Sequence, residues 1–130
     1  MFAQRNIEGL KEEADKAEGG HQARLCSELA QTLVGVADQQ FTNGNSEQGQ
    51  ATVQDILKYT RKARDAAVKS HDKLKETEIR LRETQRRLDS LKRTLALEDR
   101  PSLDNVEKQI EQFRQDLLDA MFGSKKKGKT

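Results

Sequence analysis

Apolar residues recur along this chain at three- and four-residue spacing, the period of one helix face and not of a strand. Ile7, Leu10, Ala14 and Ala17 mark a first such face among Glu12, Glu13, Asp15 and Glu18, and Gly19-Gly20 interrupts it. A short helix over 1–18 is the reading, fraying at its ends. From His21 to Thr42 the apolar set Leu25, Leu29, Leu33, Ala37 and Phe41 repeats every fourth residue, flanked by Cys26, Ala30 and Val34. That broad stripe predicts a second helix. Asn43-Gly44 supplies a left-handed stop and Ser46 an N-cap, so the next helix returns antiparallel after a tight turn.

The next pattern runs from about Glu47 to Leu97 without a proline and predicts one long helix of roughly 75 Å. Two rows at seven-residue spacing form its seam. One is Val53, Thr60, Ala67, Leu74, Leu81, Leu88 and Leu95; the other is Ile56, Ala63, Ser70, Thr77, Thr84 and Leu91. Asp65 with Lys69, Glu76 with Arg80, Glu78 with Arg82, Glu83 with Arg87 and Asp89 with Arg93 each place an acid four residues before a base, the favourable order on an exposed helix. Pro101 ends the long helix, Ser102 caps a last one, and Leu103, Val106, Ile110, Phe113, Leu117 and Met121 give it a stripe that Gly123 closes. The expected fold class is all-α. A central helix over about 47–97 carries shorter antiparallel helices on each half, as coiled-coil-like hairpins laid end to end along one rod. Leu74, Leu81, Leu88, Leu91, Leu95, Ile110, Phe113 and Leu117 form the packing seam of its second half. The division is a short helix and Gly-Gly break over 1–20, a hairpin domain over 21–123 and a disordered basic tail over 124–130.

Composition sharpens this picture. With 33% hydrophobic against 35% charged residues, the chain can bury stripes and not a thick core. Its single cysteine cannot form an internal disulfide. The net charge of +2 conceals a split: without Lys125, Lys126, Lys127 and Lys129 the body stands at −2. No run approaches the roughly 18 apolar residues of a membrane span, so no transmembrane segment is expected. Ala3 before Gln4 suits a small-residue cleavage site, so Met1 to Ala3 read as the remnant of a removed export signal, with a periplasmic or exported location expected and a cytoplasmic one the alternative.

Candidate chemistry is sparse. Residues 123–130 spell the phosphate-loop pattern G-x-x-x-x-G-K-[ST], but such a loop works between a strand and the N-terminus of a helix, and here a helix precedes it. His21 and His71 lie too far apart along a rod to share a metal, and Cys26 lacks a base on its own helix face. The carboxylates pair with bases on wet faces, which leaves none tuned for acid-base work. Asn43 to Glu47 lacks the spaced acids of a calcium loop. No catalytic residue, cofactor, metal or small-molecule substrate is therefore expected. From Lys58 to Arg93 thirteen bases face six acids, and Lys73, Arg80 and Arg87 form a row beside the seam. Together with the lysine tail that row is the candidate site for nucleic acid or another polyanion, although pairing with Glu111 and Asp116 on the facing arm competes.

Two resemblances bear on this. Ala37 to Ile56, with Phe41, Gly44, Gly49 and Val53, resembles one tetratricopeptide-type hairpin; nothing repeats about 34 residues on, so no superhelical array follows. The segments KYTRKARDAA (58–67), LKETEIRLR (74–82), RRLDSLKRTLALEDRP (86–101) and DLLDAMFG (116–123), with ARLC at 23–26, resemble an uncharacterised family of predicted exported bacterial helical proteins. That resemblance implies export and brings no activity or ligand.

The leading expectation is a non-catalytic interaction or structural protein that self-associates, as a dimer first, or displays a helical surface to a protein partner. Its motive is the thin core, with Val34, Val68, Ile79, Leu97 and Leu118 outside the main seams. The alternative is an adaptor for anionic polymers or membrane surfaces acting through the lysine tail and the basic long helix.

Overall fold

A computed structural model describes residues 2–123, with side chains from residue 6 onward. Five helices follow one another: α1 (Phe2–Lys16), α2 (Gly19–Thr42), α3 (Ser46–Ser70), α4 (Leu74–Arg93) and α5 (Arg100–Leu118). A 3-10 turn, Leu97–Asp99, joins α4 to α5, and a π-helical turn, Asp119–Gly123, ends α5. The all-α class and the packed hairpins α2/α3 and α4/α5 agree with the sequence reading.

The single helix expected over 47–97 is corrected: the chain turns back on itself between Ser70 and Leu74. Asp72 N–H donates to the Ala67 carbonyl at 3.2 Å and His71 N–H to the Val68 carbonyl at 3.3 Å, the pair of bonds that closes a Schellman turn. His71 (φ 55°) and Lys73 (φ 60°) both occupy the left-handed region, which stops α3 and aims α4 backward. The turn seats on Gly19-Gly20. Gly19 has φ +59°, and a Cβ on Gly20 would collide with the Asp72 carboxyl and come within 2.9 Å of Lys73 Cγ. The glycine pair thus opens α2, which starts at Gly19 and not at His21, with a bare surface that lets the turn close upon it.

The arms expected end to end along a rod are consequently side by side. α2 packs on α3 and α4, and α5 also packs on α3 and α4. Hydrogen bonds fix the register: Gln50 of α3 donates to the Asp99 carbonyl at 3.0 Å, and Arg64 of α3 pairs with Asp116 of α5, so α3 and α5 run parallel. Arg80 of α4 lies 3.4 Å from Glu28 of α2, while Arg87 and Leu91 stand beside Val34 and Asp38. These relations describe an up-down-up-down four-helix bundle with α3 and α4 on one diagonal.

Both seven-residue rows survive the correction. Every member is buried except Ser70, which sits at the turn. The eight seam residues named from sequence are all buried, with Leu81, Leu88, Ile110 and Leu117 fully so. Truncating one such leucine to alanine typically costs about 2–5 kcal/mol. Val34, placed outside the seams by its position, is buried at the α2/α4 contact, whereas Val68, Ile79 and Leu97 are exposed as expected.

Two expected caps do other work. Ser46 Oγ donates to Asp99 Oδ2 at 3.2 Å and Ser102 Oγ to Gln50 Oε1, joining the start of α3 to the start of α5. Pro101 falls in the first turn of α5, where its missing N–H removes no helical bond. α1 is held across α2 and α3 by burial of Ile7 and Ala14 and by Lys11 against Asp55 at 2.8 Å. Of the five exposed acid-base pairs, Glu78 with Arg82 and Asp89 with Arg93 form. Elsewhere nearer partners win: Arg80 takes Glu28, Glu83 takes Arg86 and Asp65 takes Arg64.

Candidate functional site

Three of the polar clusters between helices hold buried or shifted ionisable groups. At the α1/α2/α3 junction, Asp15 accepts from Lys62 Nζ at 2.8 Å and from the Tyr59 hydroxyl at 3.3 Å. The Lys62 hydrogen bond holds its carboxyl below the usual range despite partial burial. Burial, with Asp15 alongside, pushes the Tyr59 phenol upward. Cys26, fully buried nearby, has its thiol pushed up to about 11 by desolvation. A thiol in that state is protonated at neutral pH, so it makes a poor nucleophile and packs as a small apolar group.

Between α4 and α5, Glu78 is 3% exposed yet charged. Burial alone would raise its pKa, but Arg82 at 2.6 Å and Arg114 at 3.0 Å outweigh that and hold it below the usual carboxyl value. Further along the same contact, Lys92 meets Asp104, Glu107 and Asp89. Burial keeps Glu107 above the usual range, and its Oε2, 3.2 Å from Lys92 Nζ, accepts no aligned hydrogen bond. Sequence spacing placed these acids on wet faces. It missed Glu78 and Glu107 because their partners Arg114 and Lys92 lie on the opposite helix of the hairpin.

The basic row lies along the α2 side of α4 and its members meet different neighbours. Arg80 is drawn to Glu28 of α2, Lys73 lies in the turn, and Arg87 lines a groove with Val34, Asp38 and Glu83. The row faces α2. Glu111 and Asp116, the expected competitors, engage Arg114 and Arg64 instead. Lys125, Lys126, Lys127 and Lys129, like most of the phosphate-loop lettering, lie outside the described residues. Among the described residues no group of three or more His, Cys, Asp or Glu is gathered for a metal, and no helix is long and apolar enough to cross a membrane.

One surface stands apart. The first two turns of α4 and the end of α5 enclose an open hollow lined by Lys75, Glu78, Ile79, Arg82, Leu118, Met121 and Phe122. Ile79 is 46% and Phe122 69% exposed. Glu78, its one acid, is neutralised from both sides, so the lining is apolar with a basic edge. The π-helical turn carries Met121 and Phe122 into this position, a winding often found where a helix serves a function beyond packing.

No family model, curated protein or solved structure matches the chain.

Proposed function

We propose that this chain is a non-catalytic helical interaction module that displays the α4/α5 hollow to a binding partner. The observation that carries this is the exposed pair Ile79 and Phe122, lining one concavity on a bundle whose other large apolar residues are mostly internal. The raised Cys26 thiol and the mutually neutralised carboxylates support a role without catalysis.

Self-association on the same hollow belongs to this proposal, although its original motive has moved. The four-helix cross-section that a dimer was invoked to supply forms within one chain. The export implied by the family resemblance is part of the same proposal. The alternative, an adaptor for anionic polymers or membrane surfaces, draws on the lysine run from Lys125 onward.

A photocrosslinking residue at position 79, with exposed Gln54 of α3 as the control position, tests the module in cells that express it. Adducts at 79 and not at 54 are expected. Equal capture at both positions would sink the reading.

A further inference from the structure

We infer that the partner of the α4/α5 hollow is a second copy of this chain, which inserts Leu97 of its α4/α5 turn into the hollow and sets Glu98 against Lys75. The inference rests on the interaction reading above and names its partner.

Position comes first. Leu97 is 74% exposed, more than any other large hydrophobic among the described residues. It stands on the turn that leaves α4, whereas the hollow opens where α4 begins. The 20 residues of α4 hold the two about 30 Å apart, so Leu97 cannot reach the hollow of its own molecule. It is also held ready. Arg100 Nε donates to the Leu95 carbonyl at 2.9 Å and Gln50 Nε2 to the Asp99 carbonyl at 3.0 Å, which ties the turn down on both sides of Leu97. A side chain presented on a fixed turn loses little freedom when it docks.

Chemistry comes second. Ile79 lies 46% exposed in the hollow with Leu118 and Met121 half-buried behind it, an aliphatic lining that suits a leucine. Lys75, one helical turn before Ile79, stands exposed on the rim and pairs with no acid among the described residues. Glu98, next to Leu97, is exposed and pairs with no base among them. Each end of the bundle thus joins an uncovered apolar group to an unpaired charge, and the two charges are opposite. A lone exposed leucine needs no explanation. A leucine with an acid at one end and an aliphatic hollow with a base at the other are complementary halves carried by one chain. The contact joins unlike surfaces, so it repeats along a row of copies unless the copies close on themselves. One leucine and one ion pair cover far less than the roughly 800 Å² per side of a stable complex, which makes the association reversible and dependent on concentration.

Light scattering on the full chain should show a mean mass that rises with concentration up to about 1 mM. Leu97→Ser and Ile79→Ser, both at exposed positions, each weaken association about tenfold or more, with helicity by circular dichroism as the control for folding. Mixed together, these two variants associate again, because the first keeps the hollow and the second keeps the leucine. Glu98→Lys and Lys75→Glu each weaken association alone and restore it when mixed. A chain that stays monomeric at every concentration overturns the second copy as occupant, and adducts at 79 and not at 54 would then leave the interaction module standing with a foreign partner. Association that Leu97→Ser leaves untouched overturns it as well, by showing that the copies meet through another surface. Crosslinks equal at 79 and 54 with a monomeric chain would remove both readings.

Discussion

His71→Gly should stabilise this protein, although the same change in the straight helix that the sequence suggests would destabilise it. His71 sits at φ 55°, a conformation that costs a residue with a Cβ roughly 1–2 kcal/mol. Glycine removes that strain, while its greater freedom in the unfolded chain returns about 0.4–1 kcal/mol. The net gain is about 0.5–1 kcal/mol, or some 2–4 °C in Tm for a chain of this size. The two Schellman bonds use backbone groups only, so the imidazole is not needed for them. In the interior of a continuous helix, where histidine is already less favourable than alanine, glycine would instead cost about 0.3–0.5 kcal/mol. The two architectures therefore predict opposite signs, about 0.8–1.5 kcal/mol apart, which a urea titration followed by circular dichroism at constant m resolves. His71→Ala is the companion: it keeps the strain of the turn and should change stability little, whereas in a rod it should stabilise. A less stable His71→Gly beside a more stable His71→Ala would refute the turn and restore the rod.

Thr77 and Thr84 are fully buried with hydroxyls that find no partner; Thr77→Val and Thr84→Val should each raise stability by about 1 kcal/mol in urea denaturation, and a loss at either site would mean its hydroxyl is satisfied. Glu78 has a lowered carboxyl pKa in the folded state, so its contribution is fully present above the ordinary value near 4.5 and fades as pH falls through the lowered one. Glu78→Gln should cost about 1–3 kcal/mol at pH 7 and flatten acid unfolding as pH falls below the ordinary carboxyl value; equal sensitivity to acid in variant and wild type would place that stability elsewhere.

The apolar seam was legible from sequence; the buried acids and the topology were not. The rows Val53 to Leu95 and Ile56 to Leu91 read as one seam because Ala67 and Leu74, seven residues apart, both point inward on either side of the turn. A seven-residue period reports which face is apolar and says nothing of whether the chain continues or doubles back while keeping that face inside. The signal that existed was compositional. Ser70 is the polar gap in the second row, and His and Asp at 71 and 72 are types that tolerate left-handed or turn conformations. Gly19-Gly20, fifty residues earlier, is the other half of that turn. No local reading connects them, because the glycines matter through what lands on them.

The same blindness shaped the functional argument. Two hairpins laid along a rod leave apolar residues uncovered, and that shortage was the ground for expecting a dimer. Once the rod folds, Val34 is covered by α4 and each hairpin becomes the other's missing half. Self-association then cannot be argued from unmet burial in general. It has to be argued from the residues that remain exposed after folding, and at the α4/α5 hollow those are Ile79 and Phe122.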